Sequence, residues 1–195
     1  MPFIEPLPRS ELSELEDALS AMEKFLGFVP NDVLTMAHHP AQTRAFMDFC
    51  LAIYQNATLP HELLHLIGMA TSAAAGCRYC TAHTANKASE VGVDPEKVAK
   101  LWEYESSPLF DGRERAAITF ALNAGQSPSQ VGAEDYQELR KYYTEAEIVE
   151  MLFVICQFGF WNRWNDSVGT QLESKPKDFA ETALPEKHWS INKHT

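Results

Sequence analysis

The chain has 195 residues, of which 45% are apolar and 22% charged, and it carries a formal charge of -11. That balance sustains a hydrophobic core and excludes wholesale disorder, while the acidic surface weighs against nucleic acid and anionic membranes as partners. No apolar run reaches the roughly 18 residues of a membrane span. The opening stretch Met1 to Pro8 has no basic region ahead of an apolar core, so a cytoplasmic protein with reduced thiols is expected.

Helical signals follow one another along nearly the whole chain. Ser10 is placed to cap a first helix with an apolar stripe at Leu12, Leu15, Leu19, Met22 and Leu26, stopped by Gly27 and Pro30. A short turn follows Asn31, and a longer helix is expected from Pro40 to about Tyr54. Pro60 opens the next, His61 to Ala75, which Gly76 ends. Another starts at the cysteines and runs to Val91. Asp94 and Pro95 begin a segment reaching about Tyr104, and Asp111 begins one ending near Ala124. Glu134 to Tyr142 is short and amphipathic. Thr144 with Glu147 forms a capping box for a long helix into the Trp161–Trp164 region. Strand-like alternation persists nowhere, so the fold class is all-α.

Shifting the chain by 85 residues lays residues 60–65 on 145–150, and Cys77-Arg78-Tyr79-Cys80 on Asn162-Arg163-Trp164-Asn165. The echo predicts a single domain of two repeated helical modules, each a capped helix, a break and a second helix. The expected division is an N-terminal helical extension (1–39), a helical core (40–172, with modules 40–92 and 111–170) and a polar tail (173–195). Phe179, Leu184 and Trp189 are the anchors that can seat the tail on its own domain or on a neighbouring subunit.

The chemistry concentrates in Gly76-Cys77-Arg78-Tyr79-Cys80-Thr81-Ala82-His83. Two thiols three residues apart at a helix start can form a disulfide. The free N–H groups and positive end of the helix favour a thiolate there, helped by Arg78. His83 follows Cys80 by one turn and can take or return a proton. Cys50 and Cys156 lie in apolar runs and read as core residues. Trp161 and Trp164 read as packing.

The string Leu59, Pro60, Leu63, Leu66, Ser72, Gly76, Cys77, Tyr79, Cys80, His83 resembles the carboxymuconolactone decarboxylase / alkylhydroperoxidase D superfamily, in its peroxidase-related branch. Residues 114–121 and 160–166 resemble downstream segments of that branch. The resemblance implies an all-helical fold, a homo-oligomer such as a trimer or hexamer, and thiol-dependent reduction of a small hydroperoxide. In this reading Cys80 attacks, Cys77 resolves the sulfenic acid to a disulfide, and an external dithiol reductant restores the pair, with no cofactor. The family's relay glutamate, twelve residues before the first cysteine, is replaced by His65. His65 can serve as base, with Glu62 one turn earlier orienting it, and Glu150 is its counterpart in the second module.

Other readings remain open. His61-Glu62-Leu63-Leu64-His65 has the form of a zincin motif, with Gly68 suitably placed but Thr71 where a third histidine belongs. Cys77, Cys80, His83 and His65 can be drawn as a structural zinc set in a non-catalytic module. The pair can also be inert and buried. The same superfamily's cofactor-free decarboxylase or lyase branch lacks the cysteine pair.

Overall fold

Prolines and capping side chains open most helices, and left-handed glycines close several. A computed structural model describes residues 2–195, and all the regular structure in it is helical. The helices are α1 (Glu16–Leu26), α2 (Asn31–Met36), α3 (Pro40–Gln55), α4 (His61–Ala75), α5 (Arg78–Glu90), α6 (Pro95–Ala99), α7 (Gly112–Ala124), α8 (Ala133–Leu139), α9 (Glu145–Val168) and α10 (Ser174–Ala183). Asp94 caps α6, and Asp111 with Glu114 and Thr144 with Glu147 form reciprocal capping boxes. Gly76 ends α4 at φ +76°, the left-handed turn that lets Cys77 begin α5 at once. Among the described residues no helix is long and apolar enough to cross a membrane.

The first helix starts later than its apolar stripe suggested. Two 3-10 turns, Arg9–Glu11 and Ser13–Leu15, precede α1, and Leu12 between them leaves helical backbone at φ -112°, ψ 38°. Leu12, Leu15 and Leu19 are nevertheless buried, so the stripe was right and its geometry was not.

α4 is the central helix, packed on α5, α7 and α9. Every residue from Leu63 to Ser72 is buried, as expected of a helix surrounded by others. Gly68 is what lets α9 approach: a Cβ there would lie 2.4 Å from Phe158 Cε2 and 2.8 Å from its Cδ2. The glycine of the supposed zincin motif thus has a packing role. Gly68→Ala is expected to cost on the order of 1–3 kcal/mol through overpacking. A urea midpoint equal to that of the parent protein would contradict this contact.

The internal echo does not extend to a second break. α9 runs unbroken from Glu145 to Val168, because the position matching Gly76 is Trp161, which has no left-handed preference. Nor does Glu150 converge on the cysteines. Its carboxylate accepts from Thr58 and Leu59 backbone N–H groups (3.1 Å each) and the Thr58 hydroxyl (2.5 Å), just ahead of α4.

The polar stretch after residue 172 is folded onto its own domain. α10 packs on α5 and α6, with Ala180, Leu184 and Trp189 buried, and Trp189 Nε1 donates to the Arg78 carbonyl at 2.9 Å. Arg78 donates to the His188 carbonyl, so its charge is turned toward this segment. Cys156, expected in the core, is exposed. It shares one face of α9 with the exposed Val149, Phe153 and Phe160, while Met151, Val154 and Ile155 take the core side.

Candidate functional site

Cys77 is the N-cap residue of α5, and its sulfur accepts the Cys80 backbone N–H at 3.4 Å. Cys80 follows within the first turn. Both thiols are buried, at 0% and 2% exposure, but of the two only Cys80 lines the cavity of about 300 Å³ between α1, α3, α4, α5 and α9. Met22, Leu26, Val33, Met47, Phe158 and Trp161 make its walls largely apolar.

Three polar residues that no local motif had marked complete the surroundings of Cys80. Asn165, on α9, donates from Nδ2 to Cys80 Sγ at 3.4 Å and to Asp32 Oδ2 at 3.0 Å. Asp32 is buried at the start of α2, where its Oδ1 also accepts the Val33 N–H at 2.7 Å. Burial, with a smaller push from the Glu173 charge, brings the Asp32 carboxyl up to about 6, against the opposing pull of His83 and Asn165. The 85-residue echo did carry a signal for Asn165, since it falls on Cys80, its hydrogen-bond partner.

Glu173, the third, sits at the N-cap of α10, in the segment read as a tail. Its carboxylate accepts from His83 Nε2 at 2.6 Å, the Tyr79 hydroxyl at 2.8 Å and the Asn31 backbone N–H at 2.6 Å. Burial opposes charge on His83, yet the Glu173 carboxylate outweighs it and lifts the imidazole above its usual range. Burial likewise opposes charge on Glu173, and the His83 charge and hydrogen bond hold it below the ordinary carboxylate range. The imidazole is stacked on Tyr79, with ring centroids 4.3 Å apart, and forms part of the cavity wall.

Burial reverses the electrostatics expected of Cys80. The helix opening was to ionise it, but desolvation, reinforced by Cys77, raises its thiol well above the ordinary value, and Asn165 pulls only partly the other way. Burial thus favours the neutral thiol at Cys80.

His65 does not have the surroundings of a proton acceptor. It lines the cavity, stacked on Tyr54 at 5.3 Å, and burial pulls its imidazole down to about 3. Neither ring nitrogen has a protein partner. Glu62 is exposed and makes no hydrogen bond to it, so the expected orienting pair does not form. His61 is exposed as well. Among the described residues no three His, Cys, Asp or Glu side chains gather in a way that could hold a metal ion, which leaves the zincin and zinc-set readings without a geometry. Cys50, by contrast, is a core thiol as expected, buried against the cavity and pushed up to about 12 by burial.

The carboxymuconolactone decarboxylase family model matches residues 40–131. The solved structure of the debrominase Bmp8 superposes with a TM-score of 0.86 at 36% identity, covering 91% of this chain and 96% of that one. A cysteine-to-alanine variant of Bmp8 in complex with 2,3,4-tribromopyrrole gives a TM-score of 0.87 at 35% identity, covering 92% and 96%. A peroxidase-related protein from Ralstonia eutropha JMP134, described as an alkylhydroperoxidase AhpD core, shares the fold with a TM-score of 0.80 at 22% identity, covering 95% and 98%. Among curated proteins, YdfG of Bacillus subtilis is 26% identical over 111 residues, which make up 56% of this chain and 76% of that protein.

Proposed function

We propose that this chain, which belongs to the carboxymuconolactone decarboxylase family and has the alkylhydroperoxidase D-like fold, is a thiol-dependent two-electron reductase of small organic hydroperoxides. The observation that carries the reading is the asymmetry of the pair: Cys80 faces an apolar cavity, while Cys77 lies behind it. In the first step Cys80 sulfur attacks the distal peroxide oxygen. An S–O bond forms, the O–O bond breaks, and the sulfur is oxidised to sulfenic acid as the hydroperoxide becomes an alcohol. In the second, the Cys77 thiol displaces hydroxide from that sulfur, giving the disulfide and water. An external dithiol then reduces the disulfide and is itself oxidised.

His83 is the proton shuttle in this scheme. It takes the Cys80 proton and returns it to the departing alkoxide, with Glu173 holding the ring and supporting its cationic form. Asn165 donates to the sulfur as negative charge develops there, and Asp32 orients the amide. His65 and Glu62 have no step, a change from the relay first expected of them.

A second reading is favoured by the 36% identity to a debrominase and by the aromatic cavity wall. The same dithiol can reduce a halogenated aromatic: the carbon takes a proton, Cys80 takes the halogen, and Cys77 displaces halide to give the same disulfide. An anaerobic single turnover of the reduced protein separates the two. Cumene hydroperoxide is expected to yield one equivalent of cumyl alcohol with loss of both thiols. Intact thiols and unconsumed hydroperoxide, with bromide release from 2,3,4-tribromopyrrole instead, would transfer the assignment to dehalogenation.

The homo-oligomer belongs to the same proposal. Val149, Phe153 and Phe160 of α9 leave an apolar stripe exposed beside Phe49 of α3, whose ring lies 6.1 Å from that of Phe153, and a second copy of the chain would cover it.

A further inference from the structure

The redox chemistry uses one wall of the cavity and leaves two buried polar side chains on the others without employment. His65 of α4 and Gln157 of α9 both line the cavity, at 3% and 5% exposure. Neither nitrogen of His65 and not the Gln157 Oε1 has a hydrogen-bond partner within the protein. Such groups are costly to leave unmade, on the order of 1–3 kcal/mol each, unless water or a ligand serves them. Aromatic rings share the cavity with them: Tyr54 is stacked on His65 with an interplanar angle of 13°, and Phe158 and Trp161, which follow Gln157 on α9, line the wall.

We infer that His65 and Gln157 are the polar recognition groups of the cavity and select a flat aromatic substrate bearing a hydroxyl group. A hydroxyl suits either group: its O–H can donate to Gln157 Oε1, or its oxygen can accept the His65 N–H. The surrounding rings take the aromatic body by dispersion and apolar burial. Burial keeps His65 neutral, so its ring offers one donor and one acceptor and no charge. The low basicity that removes His65 from proton transfer is what suits it to this task. The inference deepens the proposed function and rests on the cavity being the substrate site of the Cys80 chemistry.

The test uses two small probes that the thiols do not reduce, p-cresol and p-xylene, with binding to the reduced wild-type protein measured by calorimetry or ligand-observed NMR. They differ by hydroxyl against methyl. A merely greasy cavity favours p-xylene, because the phenol hydroxyl must leave water. The expected result is the reverse order: p-cresol bound about tenfold more tightly, the factor given by roughly 1.4 kcal/mol of recovered hydrogen bonding. In Gln157→Met and in His65→Phe the preference should fall to within about twofold while p-xylene still binds. Equal or tighter binding of p-xylene by the wild type overturns the inference without a variant having to fold. Retention of the preference in both variants overturns the assignment of the two residues. If the preference is absent while hydroperoxide still consumes the thiols, the recognition claim alone fails. If the preference is present while the thiols stay inert, the recognition claim stands and the redox reading falls.

Discussion

Cys80→Ser is expected to lower hydroperoxide turnover by at least about 10³-fold, because a serine hydroxyl at that depth supplies no comparable nucleophile. Oxygen replaces sulfur almost isosterically and can still accept from Asn165 Nδ2, so the variant should fold. Cys77→Ser is expected to fail differently. Serine is a favourable N-cap residue and preserves the start of α5, while the first oxidation step remains possible. One equivalent of alcohol should appear, and a sulfenic acid should persist at Cys80, trapped by dimedone and located by mass spectrometry. Full turnover in Cys80→Ser, or a dimedone adduct on Cys77 in the wild type, would reverse the assigned order of the two sulfurs.

Glu173→Ala has the largest expected effect on stability. It strips a buried imidazole of its counter-charge, and leaves the Tyr79 hydroxyl and the Asn31 N–H without their acceptor. Breaking a buried pair by removing one partner costs on the order of 3–5 kcal/mol. The loss should depend on pH in a definite sense. His83 is raised above its ordinary 6.5, so its contribution is complete below that value and disappears as pH climbs through the raised one. Glu173 is lowered below 4.5, so its contribution is complete above that value and disappears as pH falls through the lowered one. The gap between wild type and variant in urea unfolding should therefore be widest between pH 4.5 and 6.5 and narrow on both sides. A gap independent of pH would assign Glu173 a purely packing role.

What the chain revealed unaided was what is locally encoded. The capping pairs Asp111–Glu114 and Thr144–Glu147, the proline of Pro40 and the glycine of Gly76 each act within a few residues, and the helices begin or end where they stand. The Cys77–Cys80 pair was visible for the same reason. Glu173 and Asp32 were not marked, because their partners lie 90 and 133 residues away with no flanking pattern; Asn165 was touched only by the 85-residue echo and the resemblance of residues 160–166, neither of which gave it a role. Composition also misled. The polar run after residue 172 hides Ala180, Leu184 and Trp189, which seal it to the domain, and the apolar run around Cys156 conceals the fact that one side of α9 faces outward. The ionisation expected of Cys80 followed from the helix opening and the neighbouring Arg78. How deeply the sulfur is buried is a tertiary property, and burial pushes its thiol up.

α9 carries Gln157 and Trp161 on the cavity wall and, four residues after Trp161, the Asn165 amide that donates to Cys80 Sγ; the eight residues from Gln157 to Asn165 span about 12 Å of helix. In the proposed scheme a single rigid rod therefore spaces the selecting amide from the reacting sulfur. On that scheme, substitutions near its middle are expected to change which molecules bind without altering the amide that donates to the sulfur two turns further on.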